Sequence, residues 1–235
     1  MPGTLYAIPS PLGGRVADAL PVSTLNTIKT LKVFAVENAK SARAFLGEVG
    51  MPCPIQELQI SVLEESTSKE VRELKSGTSV GLISEAGCPA IADPGASLVD
   101  AAHREGIQVV PLVGPSSIIL ALMASGLEGQ RFAFCGYLPR EAEERKKRIR
   151  ELEARSRKER ETQVFIETPY RNDTLLGALL GSCRSETRLC LASDLTLNSE
   201  SVATKSIEQW RRSRPAVGKR PTVFLLLAQP GGATT

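Results

Sequence analysis

The sequence predicts an α/β protein of two domains, in which a mainly parallel sheet is followed by a mixed sheet. In the first half, short apolar segments alternate with segments of helical pattern, which is typical of repeated β-α units. In the second half, three of four apolar segments have few helical residues between them, and this spacing favours a mixed sheet. The V-G-P-S-S segment at residues 113–117 interrupts the pattern, so we place the two domains at residues 1–114 and 115–235.

Apolar periodicity predicts first-domain strands at residues 4–8, 33–37, 55–58, 79–84 and 107–112. Helices are predicted between them, at residues 24–31, 41–49, 67–75 and 95–105. The second domain is predicted to begin with an apolar helix at residues 118–125. Its strands are expected at residues 131–136, 163–167, 188–193, 201–205 and 222–227, with helices at 140–161 and near 174–180. The small, polar tail at residues 231–235 is expected to be frayed.

Composition argues against several classes of protein and site. Hydrophobic residues make up 42% of the 235 residues but aromatic residues only 4%, so the core must be aliphatic. The net charge of +3 is too small to indicate a nucleic-acid partner by itself. Five cysteines without a C-x-x-C pair argue against disulfides and a zinc site. The only histidine, His103, is expected to lie at a helix terminus, and we expect no bound metal.

The chain shows no sign of secretion or membrane insertion. Its first residues, M-P-G-T-L-Y, lack the basic and then apolar segments of a signal peptide. No apolar run approaches the length of about 20 residues that spans a bilayer. The expected location is therefore the cytoplasm, which also suits the unpaired cysteines, and no membrane partner is expected.

The most informative segment is L-I-S-E-A-G-C-P-A-I-A-D-P-G, at residues 82–95. An apolar strand ends here in a turn of Gly, Pro and Ala, and such turns bind ligands in open α/β sheets. No Lys or Arg is present to hold a phosphate, so the turn suits a neutral or cationic ligand. Asp93-Pro94-Gly95 fits a helix start, with Asp93 as the N-cap. The G-C-P-A part at residues 87–90 starts no helix, so close ligand approach explains it better.

Other candidate residues follow the remaining strands. The P-S-P-L-G-G loop at residues 9–14 is either an ordinary turn or a second wall of the same crevice, and it is not a phosphate loop. Lys40 and Arg43 share one helix face, either in solvent or at the mouth of the crevice. Glu167 and Arg171 flank a rigid proline and either pair with each other or line a site.

A basic segment in the second half combines R-R-S-R at residues 211–214 with Lys219 and Arg220. No acidic residue interrupts either run, so the segment can contact a phosphate backbone. Little aromatic interleaving accompanies it, which argues against base stacking there. RNA contact and a solvated surface both remain open interpretations of this segment.

These motifs in this order resemble the tetrapyrrole methylase superfamily of S-adenosylmethionine-dependent methyltransferases. The chain is most similar to the branch that methylates a cytidine ribose 2′-hydroxyl in small-subunit ribosomal RNA. The resemblance rests on G-T-L-Y at 3–6, P-x-P-L-G at 9–13, S-E-A-G-C-P-A-I-A-D-P-G at 84–95, G-P-S-S at 114–117, G-Y-L-P at 136–139 and E-T-P-Y-R at 167–171. The chain departs from that branch at residues 37–42, where E-N-A-K-S-A replaces E-D-T-R followed by His and Ser or Thr, and at residues 61–65.

The resemblance implies a homodimer whose two domains meet in a cleft that holds S-adenosylmethionine. It assigns cofactor binding to Pro11, Ser84, Glu85, Ala86, Gly87, Ala90, Ser116, Ser117 and Glu167. Lys40, Arg43 and Arg171 are then the expected substrate contacts. Glu37 is the candidate catalytic base, because it follows a strand and lies close in sequence to Lys40.

Three functions remain open on this basis. The first is methyl transfer to small-subunit ribosomal RNA, and the second is the same chemistry on a tetrapyrrole or another small molecule. The third is a module that binds S-adenosylmethionine but has lost catalysis. An intact turn at residues 84–95 favours an enzyme over the third.

Overall fold

The computed structural model describes residues 1–213 and 216–229. The chain divides into two compact units, Met1–Ser116 and Ser117–Thr235. The boundary lies within the same V-G-P-S-S segment at which the sequence places the junction. Arg214 and the tail at residues 231–235, for which the sequence makes predictions, lie outside the described residues.

The first unit is a five-stranded parallel sheet of order β3-β2-β4-β1-β5. Its strands are β1 (Leu5–Ile8), β2 (Val33–Val36), β3 (Gln59–Val62), β4 (Val80–Ile83) and β5 (Val109–Pro111). Its helices are α1 (Val16–Ala19), α2 (Val22–Lys29), α3 (Ala39–Val49), α4 (Ser68–Lys75) and α5 (Ala96–Arg104). The predicted β-α repeat and parallel sheet are confirmed.

The central strands end together at one edge of this sheet. Ile83 of β4 pairs with Ile8 of β1 on one side and with Val36 of β2 on the other. Every residue of β2 and β4 is buried, which explains why these strands have an uninterrupted apolar sequence. The loops that follow β1, β2 and β4 therefore start side by side.

Helices cover both faces of the sheet. Ile28 of α2 packs in one cluster with Phe34, whereas Leu98 of α5 packs with Leu82 in another. The chain that leaves β1 thus runs along one face, and the chain that leaves the adjacent β4 runs along the opposite face. Such a reversal opens a crevice at the carboxyl ends of the strands, where α/β sheets bind ligands.

The predicted third strand, residues 55–58, is wrong. Ile55–Glu57 forms a 3-10 helix after Pro54, and the strand is Gln59–Val62. Among the strands that the structure describes, this one lies at the sheet edge and pairs with β2 alone, so its partly exposed sequence lacks a long apolar run. Ile55 and Leu58 are apolar because they pack in the hydrophobic cluster that contains Phe34, not because they belong to a strand.

The second unit is a mixed five-stranded sheet of order β6-β7-β10-β8-β9, as predicted. Only β6 and β7 pair in parallel, and the other pairs are antiparallel. The strands are β6 (Phe132–Tyr137), β7 (Thr162–Ile166), β8 (Arg188–Ser193), β9 (Ser201–Ser206) and β10 (Thr222–Leu227). The helices are α6 (Ser117–Ser125), α7 (Ala142–Glu159), α8 (Asn172–Ser182) and α9 (Ile207–Ser213).

The core of the second unit lies between its sheet and α7, α8 and α9. Phe165 and Phe224 stack within it, with ring centroids 6.0 Å apart. Trp210 of α9 donates its indole N–H to the carbonyl of Leu189 at 2.8 Å. Within the described ranges, no helix combines the length and apolarity needed to cross a membrane.

Candidate functional site

Two loops at the carboxyl edge of the first sheet are joined by a short antiparallel bridge. The backbone N–H of Ser10 donates to the carbonyl of Gly87 at 2.8 Å, and the N–H of Gly87 donates back at 3.0 Å. The buried hydroxyl of Ser10 donates to the carbonyl of Ser84 at 2.9 Å. The prediction that the loops after β1 and β4 open on the same edge is therefore confirmed.

The loop after β4 has an unusual backbone. Gly87 is buried at φ +73°, and a Cβ there would lie 3.3 Å from the Leu12 side chain. Ala90 and Ala92 are held at φ 65°, a left-handed conformation that L residues adopt at a cost. Strain of this kind is retained where the surrounding structure enforces it, most often at ligand sites.

The segment after β5 contacts this loop within the first unit. The Cys88 thiol donates to the carbonyl of Pro115 at 3.4 Å, and burial raises the pKa of that thiol. A Cβ on Gly114 would lie 2.4 Å from the Cβ of Pro9, so only glycine permits this approach. Residues 114 and 115, which precede Ser116, are thereby held beside both loops.

Glu37 follows β2 and reaches the same loop. Its Oε2 accepts a 3.0 Å hydrogen bond from the backbone N–H of Glu85. Asn38 caps α3 by accepting from the backbone N–H groups of Lys40 and Ser41. The Ser41 hydroxyl lies 3.2 Å from Glu85 Oε1 and donates to it. The end of β2 and the turn after β4 therefore form one hydrogen-bonded unit.

The prediction that Asp93 caps a helix is wrong. Helix α5 begins at Ala96, its N-cap is Gly95 at φ 124°, and no side chain of the described residues caps it. A Cβ at Gly95 would lie 2.9 Å from the Leu82 side chain, so the close approach of the backbone to β4 requires glycine. The left-handed backbone of Gly95 is not helical, and the helix therefore begins only after it.

Asp93 instead lies near the other carboxylates of this edge. Burial and the charge of Glu37 raise its pKa, contact with the Ser84 hydroxyl opposes this rise, and the charge of Glu85 adds to it. The sequence did not predict this position of Asp93, because the D-P-G pattern is a strong local signal for a helix cap. The carboxylate of Glu37, which lies near Asp93 in the structure, is remote from it in the chain. The edge thus carries three carboxylates.

Lys40 and Arg43 are exposed near the start of α3. Neither forms an ion pair with any residue that the structure describes, and Arg43 donates to the carbonyl of Ala39 at 3.4 Å. They supply positive charge beside an edge that is otherwise acidic. Their predicted contact with substrate stays a prediction, as do the cofactor roles of Pro11, Ala86 and Ser117, which are not fully buried.

In the second unit, Glu167 and Arg171 form an ion pair. Arg171 Nη2 lies 3.1 Å from Glu167 Oε2, and the Glu167 side chain is only 1% exposed. Glu167 Oε1 accepts from the backbone N–H of Thr168 at 2.8 Å. The interpretation that these residues pair is confirmed, and their predicted contacts with cofactor and substrate stay predictions.

Most of the basic segment in the second unit has structural partners. Arg211 donates to the carbonyls of Leu180 and Cys183, which end α8. Arg212 pairs with Glu208 on the same helix. In the part of the chain that the structure describes, no three or more His, Cys, Asp and Glu residues are arranged to hold a metal.

Comparisons with known proteins agree with this architecture. The family model for tetrapyrrole (corrin/porphyrin) methylases matches residues 4–210. A relative named ribosomal RNA small subunit methyltransferase I, from Haemophilus influenzae, is 31% identical over 97% of this chain and 80% of its own length. The protein of the same name from Vibrio cholerae is 33% identical over 84% of this chain and 67% of its own.

Solved structures show the same fold at lower identity. The methyltransferase CobJ has a TM-score of 0.62 at 16% identity, with 96% of this chain and 94% of that chain covered. Uroporphyrin-III-C-methyltransferase from Thermus thermophilus has a TM-score of 0.56 at 18% identity, with 97% and 93% covered.

Proposed function

Because the chain belongs to the tetrapyrrole (corrin/porphyrin) methylase family and is a methyltransferase, we propose that it methylates a cytidine ribose 2′-hydroxyl in small-subunit ribosomal RNA. Methyltransferases of this family generally use S-adenosylmethionine, and we propose the same cofactor here. The proposal includes action in the cytoplasm as a homodimer. Relatives named for small-subunit ribosomal RNA, at 31% and 33% identity, support the choice of acceptor.

The observation that carries the proposal is the pairing of Ser10 with Gly87 at the carboxyl edge of the parallel sheet. It joins two loops of small residues with a strained backbone, and the bond between Glu37 and Glu85 and the charges that act on Asp93 bring three carboxylates to the same edge. This chemistry fits the sulfonium cation of S-adenosylmethionine and would repel a phosphate. We assign its binding in the first unit to Pro11, Ser84, Glu85, Ala86, Gly87, Ala90 and Ser116, and in the second to Ser117 and Glu167.

When bound, S-adenosylmethionine supplies an electrophilic methyl group. The chain's own task is to hold the acceptor hydroxyl in line and to take its proton. Glu37 is suited to this role because its Oε2 is fixed by the Glu85 N–H, while no described residue donates a hydrogen bond to Oε1. Lys40 and Arg43, exposed on the adjacent helix, are suited to hold a phosphate of the substrate.

Radiolabelled S-adenosylmethionine tests the proposal when it is incubated with the purified protein and an extract of a strain that lacks the gene. Label in small-subunit RNA supports the proposal. Label only in small molecules indicates a tetrapyrrole or other small acceptor instead. Cofactor binding in calorimetry without label in any fraction indicates a module that has lost catalysis. Light scattering of the purified protein tests the homodimer.

A further inference from the structure

Tyr170 is the most exposed aromatic side chain of the protein. The chain has only six Phe, three Tyr and one Trp, and several of these rings are buried in the cores. Phe165 and Phe224 are wholly buried, whereas Tyr170 is 79% exposed. Its ring therefore contributes little to the core of the second unit, and its place in the structure needs another explanation.

The turn that presents Tyr170 is held firmly at both ends. Pro169 restricts the backbone at its start, and the N–H of Arg171 donates to the carbonyl of Thr168 at 2.9 Å. The ion pair between Glu167 and Arg171 spans the turn. The exposed position of the ring is thus a consequence of a fixed backbone.

A second loop is anchored beside this turn. The Asn172 side-chain amide donates to the carbonyls of Gly218 and Arg220, at 3.1 and 2.8 Å. Asp173 Oδ1 accepts from the backbone N–H of Val217 at 2.7 Å. These bonds fasten the loop to the first residues of α8 and bring the Lys219 ammonium to 4.8 Å from the centroid of the Tyr170 ring.

Lys219 remains available to an anion. Arg212 pairs with Glu208, and Arg220 pairs with Asp194. In contrast, Lys219 is exposed and has no carboxylate within 4.0 Å among the described residues. An aromatic ring and a cation that has no carboxylate partner among the described residues are therefore held side by side at the surface.

We propose that Tyr170 and Lys219 bind an unpaired nucleotide of the RNA substrate, with a base stacked on the ring and a phosphate at the ammonium. Proteins contact single strands through this combination of an aromatic face and a cation. Because both side chains lie on segments whose backbone is anchored, little backbone entropy is lost on binding. The inference rests on the proposed function, since it assumes an RNA acceptor.

Binding of small-subunit RNA, purified from a strain that lacks the gene, tests this site. We expect Tyr170→Ala to raise the Kd for this RNA about tenfold, whereas Tyr170→Phe keeps the ring and stays within about twofold. Lys219→Ala should lower the slope of log Kd against log salt by about one. Lys158→Ala is the matched control, because Lys158 is exposed but lies next to Glu159.

The Kd for S-adenosylmethionine and the melting temperature should stay unchanged in all four variants. The inference is overturned if wild-type protein methylates the RNA while Tyr170→Ala binds it as tightly as wild type. It is also overturned if Lys219→Ala leaves the salt slope unchanged. By contrast, if the wild-type protein labels only small molecules, the RNA acceptor itself is contradicted. The inference about Tyr170 and Lys219 is then overturned together with the proposed function, whatever the variants do.

Discussion

The carboxylate of Glu37 accepts a 3.0 Å hydrogen bond from the backbone N–H of Glu85, although the two residues are 48 positions apart in the chain. The bond connects the end of β2 with the turn after β4. It fixes one carboxylate oxygen, whereas no described residue donates a hydrogen bond to the other. The proposed chemistry of the site depends on this arrangement.

Glu37→Gln should slow methyl transfer while leaving cofactor binding nearly intact. Glutamine can still accept the bond from the Glu85 N–H, so the turn keeps its shape, but it cannot take a proton. We expect the rate constant of methyl transfer to fall about 100-fold, as measured in single-turnover methylation assays. Glu105→Gln, which changes a surface partner of Lys75, serves as the control. Equal loss of turnover and of cofactor affinity would remove Glu37 as the base.

Gly87→Ala should weaken cofactor binding more than it weakens the fold. Gly106→Ala is the matched control, because Gly106 has φ +67° and open space around it, against φ +73° for Gly87. Each substitution should cost about 1 kcal/mol of stability through its left-handed backbone. Only Gly87→Ala should raise the Kd for S-adenosylmethionine in calorimetry, since only Gly87 pairs with Ser10. Equal affinities of the two variants would argue against this loop as the cofactor site.

Asp93→Asn should change the pH dependence of stability. The pKa of Asp93 in the folded protein is raised above 3.8, chiefly by burial and by Glu37, so folding favours its protonated form. Ionisation therefore costs wild-type stability as pH rises through the raised pKa, and the asparagine variant avoids this cost. In urea unfolding between pH 4 and pH 7, the free energy of unfolding of the variant should increase relative to that of wild type as pH rises. A constant difference, or one that shrinks, would contradict the assigned surroundings of Asp93.

Glu167→Gln should destabilise the second unit by about 2 kcal/mol, because it leaves the Arg171 guanidinium without its buried partner. Arg171→Met should have a similar effect, and the double variant should lose less than the sum of the two. Arg212→Met is the control, since its pair with Glu208 is exposed and worth less than about 1 kcal/mol. Denaturant unfolding measures all four variants. Strictly additive losses would show that the pair is not coupled.

Helices and strands that are encoded by a local pattern of apolar and capping residues could be predicted from the sequence. The apolar run of β4 and the helical pattern of α3 are local signals, and both elements lie within two residues of their predicted bounds, since α3 begins at Ala39 after the Asn38 cap. The edge strand β3 was misplaced because its position depends on pairing with β2, which no local apolar pattern encodes.

The site was predictable in part for the same reason. The Gly and Pro residues at positions 84–90 predict a turn directly. The surroundings of Asp93, in contrast, include Glu37 and Ser84, which folding brings near. The exposure of Tyr170 likewise results from the Glu167–Arg171 pair and from a loop that is remote in the chain. Long-range contacts of this kind cannot be read from residue types alone.

The most direct test of the account is the amount of 2′-O-methylcytidine in small-subunit RNA, measured by mass spectrometry of nucleosides after complete digestion. The account predicts that deleting the gene removes one such nucleoside per RNA. It also predicts that the wild-type gene restores it and that the Glu37→Gln gene restores it poorly or not at all. An unchanged amount of 2′-O-methylcytidine in the deletion strain would contradict the account.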